Sequence, residues 1–202
     1  MVVIGDAQIK AFVFVATLGY SRRLQCVRSA PRSREHWFAG LESAFTTFGG
    51  VAEDVLMDNP RALVVHHDAV NRSVVFNAKL IAFAKHWGFR PRACAPYRAR
   101  TKGKTESGVG YVKKNAIVGH CFASWEALEA HLAAWERGIA NVRIHGTTGE
   151  APIARFERDE AHRLKPLGGR AAFGSLRELT RVVGNDCAVE IDTNSYSRIS
   201  RP

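Results

Sequence analysis

The 202-residue chain has no apolar run near the roughly 20 residues that a membrane-spanning helix needs. Its first residues, MVVIGDAQ, offer no basic segment leading into an apolar one, so no signal peptide is expected and the cytoplasm is the expected location. Cysteine is scarce. Cys26, Cys94, Cys121 and Cys187 are dispersed, and none pairs with another at the spacing of a zinc site, so all four read as reduced structural thiols. Internal repeats and low-complexity stretches are also lacking, which argues against a solenoid or a disordered tail. What is present is ordinary for a soluble globular protein: 46% hydrophobic and 24% charged residues, enough for one core and a small appendage.

Acidic residues are in deficit, 19 against 29 Lys and Arg, giving a net charge of +10 and a preference for anionic partners. The excess is local. Between positions 90 and 114 stand Arg90, Arg92, Arg98, Arg100, Lys102, Lys104, Lys113 and Lys114 against one acid, Glu106. Such a concentration is the footprint of a phosphate-binding surface.

Residues 2–4 and 10–17 are rich in β-branched and aromatic residues, with Gly5-Asp6 as turn chemistry between them, and read as a hairpin. Leu24 to Val27 continues it as a third antiparallel strand. From Ser33, a good N-cap, apolar residues recur at Trp37, Leu41, Phe45 and Phe48 until Gly49-Gly50 ends the helix. Val55-Leu56-Met57 suits a buried parallel strand ending at Asp58-Asn59-Pro60. Asn77 caps a helix through Leu80, Ile81, Ala84 and Trp87, which Gly88 ends; a short strand follows at 92–95. A basic loop, Tyr97 to Lys104, leads into a helix from Thr105 to Asn115, and Ser124 caps another with Leu128, Leu132, Trp135 and Ile139 on one face. The order is three strands, helix, strand, helix, strand, helix, helix: an α/β domain over 1–157. A linker is expected over 158–174, then a partial β-module over 175–202, with Asn185-Asp186 as a turn signal.

Two carboxylates stand where chemistry is expected. Asp58 follows a buried strand, and open α/β sheets place ligands at the carboxyl ends of their strands; Asp is also simply a good residue before Asn-Pro. Glu106 is the one acid in the basic stretch, at a helix start, where it also complements the helix dipole. A carboxylate inside a phosphate-binding surface opposes that binding unless a divalent cation lies between, and Mg²⁺ or Mn²⁺ is the oxygen-preferring choice. On the expected helix, Glu106, Gly110 and Lys113 share one face, which gives a metal ligand, a gap for DNA backbone and a phosphate contact. His66-His67-Asp68 is not expected to act as a joint metal site, because neighbours in a strand point to opposite faces.

The segments LGYSR (18–22), LMDN (56–59), HWGFRPRACAPYRARTKGKTES (86–107) and NVRIHGTTGEAPIARF (141–156) resemble the IstA-type transposases of bacterial insertion sequences, which belong to the retroviral-integrase-like enzymes with a DDE triad. The resemblance covers essentially the whole chain, and PYRARTKGKTE is its most specific part. It implies an RNase H-like mixed sheet, three antiparallel strands plus parallel strands, flanked by helices. It implies 3′-end cleavage and strand transfer on double-stranded DNA, both transposon ends and target. Asp58 matches the second acid of the triad and Glu106 the third, with 47 residues between them. The family further implies Mg²⁺ or Mn²⁺, a homo-oligomeric active assembly, an ATPase helper protein and a place beside the bacterial nucleoid.

The likeness departs at its start. In similar proteins the first Asp sits in an Asp-Trp-Gly-like motif ahead of the strand matching KAFVFVATLGYSR, and no such motif occurs here. Asp6 is the one acid before that strand, and its Gly-Asp setting reads as a turn, which leaves it only a minor candidate as third ligand. An amino-terminal truncation, and with it an inactive or weakly active chain, is therefore expected. Arg98, Arg100, Lys102 and Lys104, with Lys113 and Lys114, are the expected DNA contacts. His145 is a further residue that either touches DNA, supports the metal site or ends a helix. Two competing readings are a non-catalytic DNA-binding remnant of a transposase gene and an RNase H-like nuclease acting on RNA-containing duplexes.

Overall fold

The structure is a computed structural model that describes residues 1–29, 34–57, 63–68, 73–94, 108–175, 188–191 and 194–197. β1 (Val2–Ile4) turns back through Gly5, at φ +58, onto β2 (Ala7–Ile9), and its other edge pairs in parallel with β9 (Cys121–Phe122). The Gly5-Asp6 hairpin expected from sequence is present, but it closes on Ala7–Ile9 and not on the 10–17 run. That run becomes β3 (Phe12–Thr17), whose six residues all pair antiparallel with β4 (Leu24–Ser29), from Phe12↔Ser29 to Thr17↔Leu24. A full six-pair ladder offers far more cross-strand contact than a three-pair hairpin, so it claims the apolar run.

Period-two alternation makes this ladder the middle layer. Phe14 and Ala16 of β3, with Val27 of β4, face one core, while Val13 and Val15, with Leu24 and Cys26, face a second. The first core is covered by α1 (Arg34–Phe48) and α2 (Ala78–Trp87), which contribute Phe38, Leu41, Phe45, Phe48, Leu80, Phe83 and Trp87. Phe38 stacks on Phe83 at 4.4 Å between centroids, and burying each such side chain contributes about 1.5–3 kcal/mol. α1 lies close on the strands because Gly40 has no side chain: a Cβ there would sit 2.5 Å from the Phe14 ring. α1 ends at Gly49, at φ +77. α2 has the caps its sequence announces: Asn77 Oδ1 accepts from Lys79 N–H at 2.9 Å, and Gly88, left-handed at φ 77, donates to Ala84 O. Its buried stripe is Leu80, Phe83, Ala84 and Trp87, with Ile81 turned outward.

β5 (Asp54–Met57) and β8 (Arg90–Ala93) pair in parallel, as Asp54↔Arg90 through Met57↔Ala93, joined by the β6 (Val64–Asp68) and β7 (Ser73–Phe76) hairpin and α2. That hairpin is not among the elements expected from the sequence.

The second core is covered by α3, helical over 108–112 and continued as a π-helical turn over Lys113–Ile117, and by α4 (Trp125–Trp135) with its own π turn, Glu136–Ala140. Ser124 caps α4 as expected, accepting from Ala127 N–H at 3.2 Å. Leu128, Leu132 and Trp135 are buried, but Ile139 is 52% exposed and Ala140 is buried in its place. A π turn inserts one residue into the helical repeat, so the inward position slips from 139 to 140.

α5 (Pro152–Arg155) runs on through a π turn to Glu160, and 164–173 then lie along the first core. Val51 and Lys165 exchange both backbone hydrogen bonds, at 2.8 and 2.9 Å. Phe173 packs edge-on against Phe38 and Phe83, while Glu42 Oε1 accepts from Phe173 N–H and Trp87 Nε1–H. The segment expected as a linker is therefore tied to α1 and α2. Within the expected C-terminal module, β10 (Ala188–Ile191) and β11 (Asn194–Ser197) form an antiparallel pair; Asn185-Asp186 lies outside the described residues. No helix among the described residues is long and apolar enough to cross a membrane.

Candidate functional site

Asp58, Glu106, Arg98, Arg100, Lys102 and Lys104 all lie outside the described residues, so the fold supplies the anchors on either side of them. On one side, the parallel β5–β8 ladder ends at buried Met57, whose carbonyl accepts from Cys94 N–H at 3.1 Å. Asp58 is the next residue in the chain. On the other, the described part of α3 runs from Gly108, two residues after Glu106, and lies close on β3: a Cβ at Gly108 would lie 3.1 Å from Thr17 Oγ1 and 3.8 Å from Val15 Cγ1. A Cβ at Gly110 would meet nothing within 4 Å.

Lys113 and Lys114 are exposed at the end of α3. Lys113 borders an apolar cleft of about 170 Å³ lined by Val2, Val13, Val15, Val109 and Val112. Asp6 is exposed in the β1–β2 turn. His66, His67 and Asp68 lie in β6, paired with Val75, Val74 and Ser73. Among the described residues no three His, Cys, Asp or Glu side chains gather as a metal site.

Two members of the basic stretch are already engaged. Arg90 reaches Glu53 at 2.8 Å and Asp54 at 3.0 Å, and Arg92 reaches Asp54 at 3.1 Å. This network sits at the amino end of β5, away from the end that leads to Asp58, and it removes Arg90 and Arg92 from the free phosphate-binding excess.

Two of the sequence segments singled out above meet in space. The LGYSR turn joins β3 to β4, with Leu18 N–H donating to Arg23 O at 2.9 Å and Arg22 N–H to Leu18 O at 3.2 Å. Residues of α5 and its π turn grip it: Glu160 accepts from Ser21 N–H at 3.0 Å, Asp159 accepts from Tyr20 Oη at 3.1 Å, and the Arg155 guanidinium lies 4.0 Å from the Tyr20 ring centroid. Arg23 is packed 4.2 Å from the Phe156 ring and donates to Thr47 O. Thus held, Arg22 adopts φ +67, the one non-glycine residue with positive φ among those described.

The NVRIHGTTG segment is fixed from its first residue. Asn141, 6% exposed, accepts from Leu24 N–H through Oδ1 and donates to Leu24 O through Nδ2, both at 2.8 Å. Glu136 accepts from Cys26 N–H at 2.9 Å. Together these side chains satisfy the edge of β4 as a neighbouring strand would. Burial pushes the Glu136 carboxyl above its ordinary range, against the Cys26 hydrogen bond and the charges of Arg23 and Arg137. Burial, with Glu136 beside it, pushes the Cys26 thiol up to about 12, which keeps it protonated and inert.

Two residues beyond Asn141, Arg143 places its guanidinium 4.1 Å from the Tyr111 ring of α3, which itself packs against Trp135. His145 Nδ1 accepts from Thr147 N–H at 3.3 Å, while its carbonyl accepts from Thr148 and Gly149 N–H. Burial, then the charges of Arg143 and Arg22, hold the His145 imidazole below its ordinary pKa. Of these residues only His145 stands out in the sequence; Tyr111 and Arg143 are far apart in the chain and share no local pattern.

The integrase core domain family matches residues 1–99. Over 82% of its length the chain is 39% identical to a putative transposase for insertion sequence element IS5376 from Geobacillus stearothermophilus, covering 40% of that protein. Over 91% of its length it is 38% identical to the transposase for insertion sequence element IS21 from Pseudomonas aeruginosa, covering 46% of it. A transposase for insertion sequence element IS640 from Shigella sonnei is 39% identical over 70% of the chain and 44% of its own length. The chain thus spans less than half the length of these curated relatives.

Proposed function

Since the chain belongs to the IS21-type insertion-sequence transposases and carries their integrase-like core, we propose that it is the catalytic core that cleaves 3′ ends of transposon DNA and joins them to target DNA. The observation that carries the reading is the parallel β5–β8 ladder ending at Met57, so that Asp58 follows at the carboxyl end of a parallel strand, where open α/β sheets bind ligands.

In this reading Asp58 and Glu106 are the catalytic carboxylates. As hard oxygen donors they suit Mg²⁺ or Mn²⁺. When bound, such ions favour the hydroxide or 3′-oxyanion form of the nucleophile and stabilise the leaving oxygen at phosphorus. Arg98, Arg100, Lys102, Lys104, Lys113 and Lys114 hold the phosphodiester backbone and carry no base readout, so their work is positioning. Exposed Lys113 and Lys114 on α3, and the open space at Gly110, agree with a backbone lying along that helix. By likeness to its family the active assembly is a homo-oligomer served by an ATPase helper.

The test separates binding from chemistry. Duplex carrying transposon ends is titrated at several salt concentrations, and Mg²⁺-dependent joining is followed on the same duplex. Replacing Lys102 and Lys104 together by Ala should lower the log-log salt slope by about 2, at about 0.9 per phosphate contact. Joining that Asp58→Asn abolishes supports the catalytic reading. Binding with no joining points to a DNA-binding remnant, and Mg²⁺-dependent cutting confined to RNA-containing duplexes points to a nuclease.

A further inference from the structure

Among the described residues, the end of α3 nearest Glu106 in the chain has little to hold it. It starts Gly108-Val109-Gly110, two glycines without side chains and a valine that borders the open apolar cleft; a Cβ at Gly110 would meet nothing within 4 Å. Glycine is also a poor helix former, so this end is soft by its own sequence. Tyr111 and Val112 are the first side chains that tie it down. Val112, 1% exposed, sits in the second core and fixes how deep α3 lies. Tyr111 leaves the helix about 100° away from it. Its ring meets two groups held by the rest of the fold: Trp135 of α4, at 5.2 Å between centroids, and the Arg143 guanidinium, at 4.1 Å.

Arg143 is itself well anchored. Its N–H donates to Ile139 O at 3.1 Å, and two residues earlier Asn141 is tied to both backbone groups of Leu24 in β4. A chain of contacts therefore runs from the β3–β4 ladder, through Asn141 and Arg143, to Tyr111 on α3. Arg143 Nε is buried with no hydrogen-bond partner among the described residues, a cost that an apolar side chain would not carry. The same desolvation strengthens the attraction of the guanidinium for the ring. Methionine would fill the space without the cost, so space-filling alone does not call for arginine.

We propose that Arg143 is a positioning residue: stacked on Tyr111, it sets the roll of α3, and with it the direction in which the Glu106 carboxylate, five positions before Tyr111, is offered to a metal ion. The proposal rests on the reading of Glu106 as a catalytic carboxylate. It gives the NVRIHGTTG loop a part in that site through α3 and not through DNA.

Mn²⁺ binding by the whole chain, read by electron paramagnetic resonance, is the probe, with amide exchange and duplex titration on the same variants. Arg143→Met should melt close to wild type, yet bind Mn²⁺ about three- to tenfold more weakly and exchange its amides faster over 108–117. By charge alone, removing a cation tightens the binding of a divalent ion, so a fall in affinity reports geometry. Tyr111→Leu should reproduce the fall, whereas Tyr111→Phe, which keeps the ring, should bind as wild type does, and Arg143→Lys should recover part of the loss. Arg143→Met combined with Tyr111→Leu should be little worse than either alone. Mn²⁺ binding by Arg143→Met as tight as wild type or tighter, while Glu106→Gln weakens it, overturns the positioning role and leaves Glu106 in place. A log-log salt slope of duplex binding lowered by about 0.9 in Arg143→Met also overturns it, since Arg143 is then a phosphate contact. Mn²⁺ binding unchanged in Glu106→Gln overturns both readings. Should Arg143→Met fail to fold, Tyr111→Leu against Tyr111→Phe decides the matter by the same measurement.

Discussion

Replacing Asn141 by Ala strikes the joint on which the His145 loop and the edge of β4 both depend. The Asn141 amide makes two 2.8 Å hydrogen bonds to the backbone of Leu24, itself buried, and its own carbonyl accepts from Ile153 N–H at 2.9 Å. Truncation removes the side chain and leaves the Leu24 N–H and C=O without partners in a place water does not reach. Each orphaned group costs about 1–3 kcal/mol, so the variant should lose about 2–6 kcal/mol. Against a total of about 5–15 kcal/mol for a domain, that is a large share. With a urea m-value of about 2 kcal/mol/M, the midpoint should fall by about 1–3 M. Asn141→Asp should fall between wild type and Ala at neutral pH, since it keeps the acceptor for Leu24 N–H and loses the donor to Leu24 O. Urea unfolding followed by circular dichroism measures the loss, and hydrogen exchange at the Leu24 amide locates it. A change in Asn141→Ala below about 0.5 kcal/mol, the level of an ordinary surface substitution, with Leu24 still protected, would refute the reasoning.

Other outcomes follow from neighbouring features. Glu136 has a folded pKa above its ordinary value, so its contribution to stability is present below about pH 4.5 and is lost as pH rises through the raised value. Glu136→Gln keeps an acceptor for Cys26 N–H and lacks that loss, so urea unfolding at about pH 4 and pH 7 should show the variant gaining on wild type as pH rises; a gap that stays constant or moves the other way contradicts the burial argument. Gly40→Ala should destabilise by about 1–2 kcal/mol despite better helix propensity, because the new Cβ meets the Phe14 ring at 2.5 Å. A thermal melt in which Gly40→Ala gains stability would show that α1 shifts freely on β3.

Local chemistry made much of the scaffold readable. Asn77 and Gly88 mark α2 because caps act within a few residues, and Ser124 marks the start of α4 for the same reason. Pairing between distant segments was harder to read. The 10–17 run was assigned to the first hairpin because adjacency in sequence favours it, yet the longer β4 ladder won. Ile139 was expected inside because a 3.6-residue period carries no sign of a π turn. Residues 158–174 looked like a linker because polar residues, Gly and Pro dominate them, while their few apolar side chains, Leu164, Leu167 and Phe173, are the ones that dock. Glu136 would pass in sequence for a solvated helical acid; only the β4 edge beside it gives it a buried partner. For the site, motif likeness singles out Asp58, Glu106 and the basic run, but no local pattern joins Tyr111 of α3 to Arg143 in the loop after α4.

Binding of Mn²⁺ followed by electron paramagnetic resonance tests most directly whether Asp58 and Glu106 work as a pair. It is read on wild type, Asp58→Asn, Glu106→Gln and the double variant, each checked for folding. Shared ligation predicts that either single change weakens binding at least about tenfold, about 1.4 kcal/mol, and that the double variant is little worse than the weaker single one, since groups acting as a unit are not additive. Mn²⁺ binding that survives unchanged in either single variant would contradict the assignment of the catalytic centre.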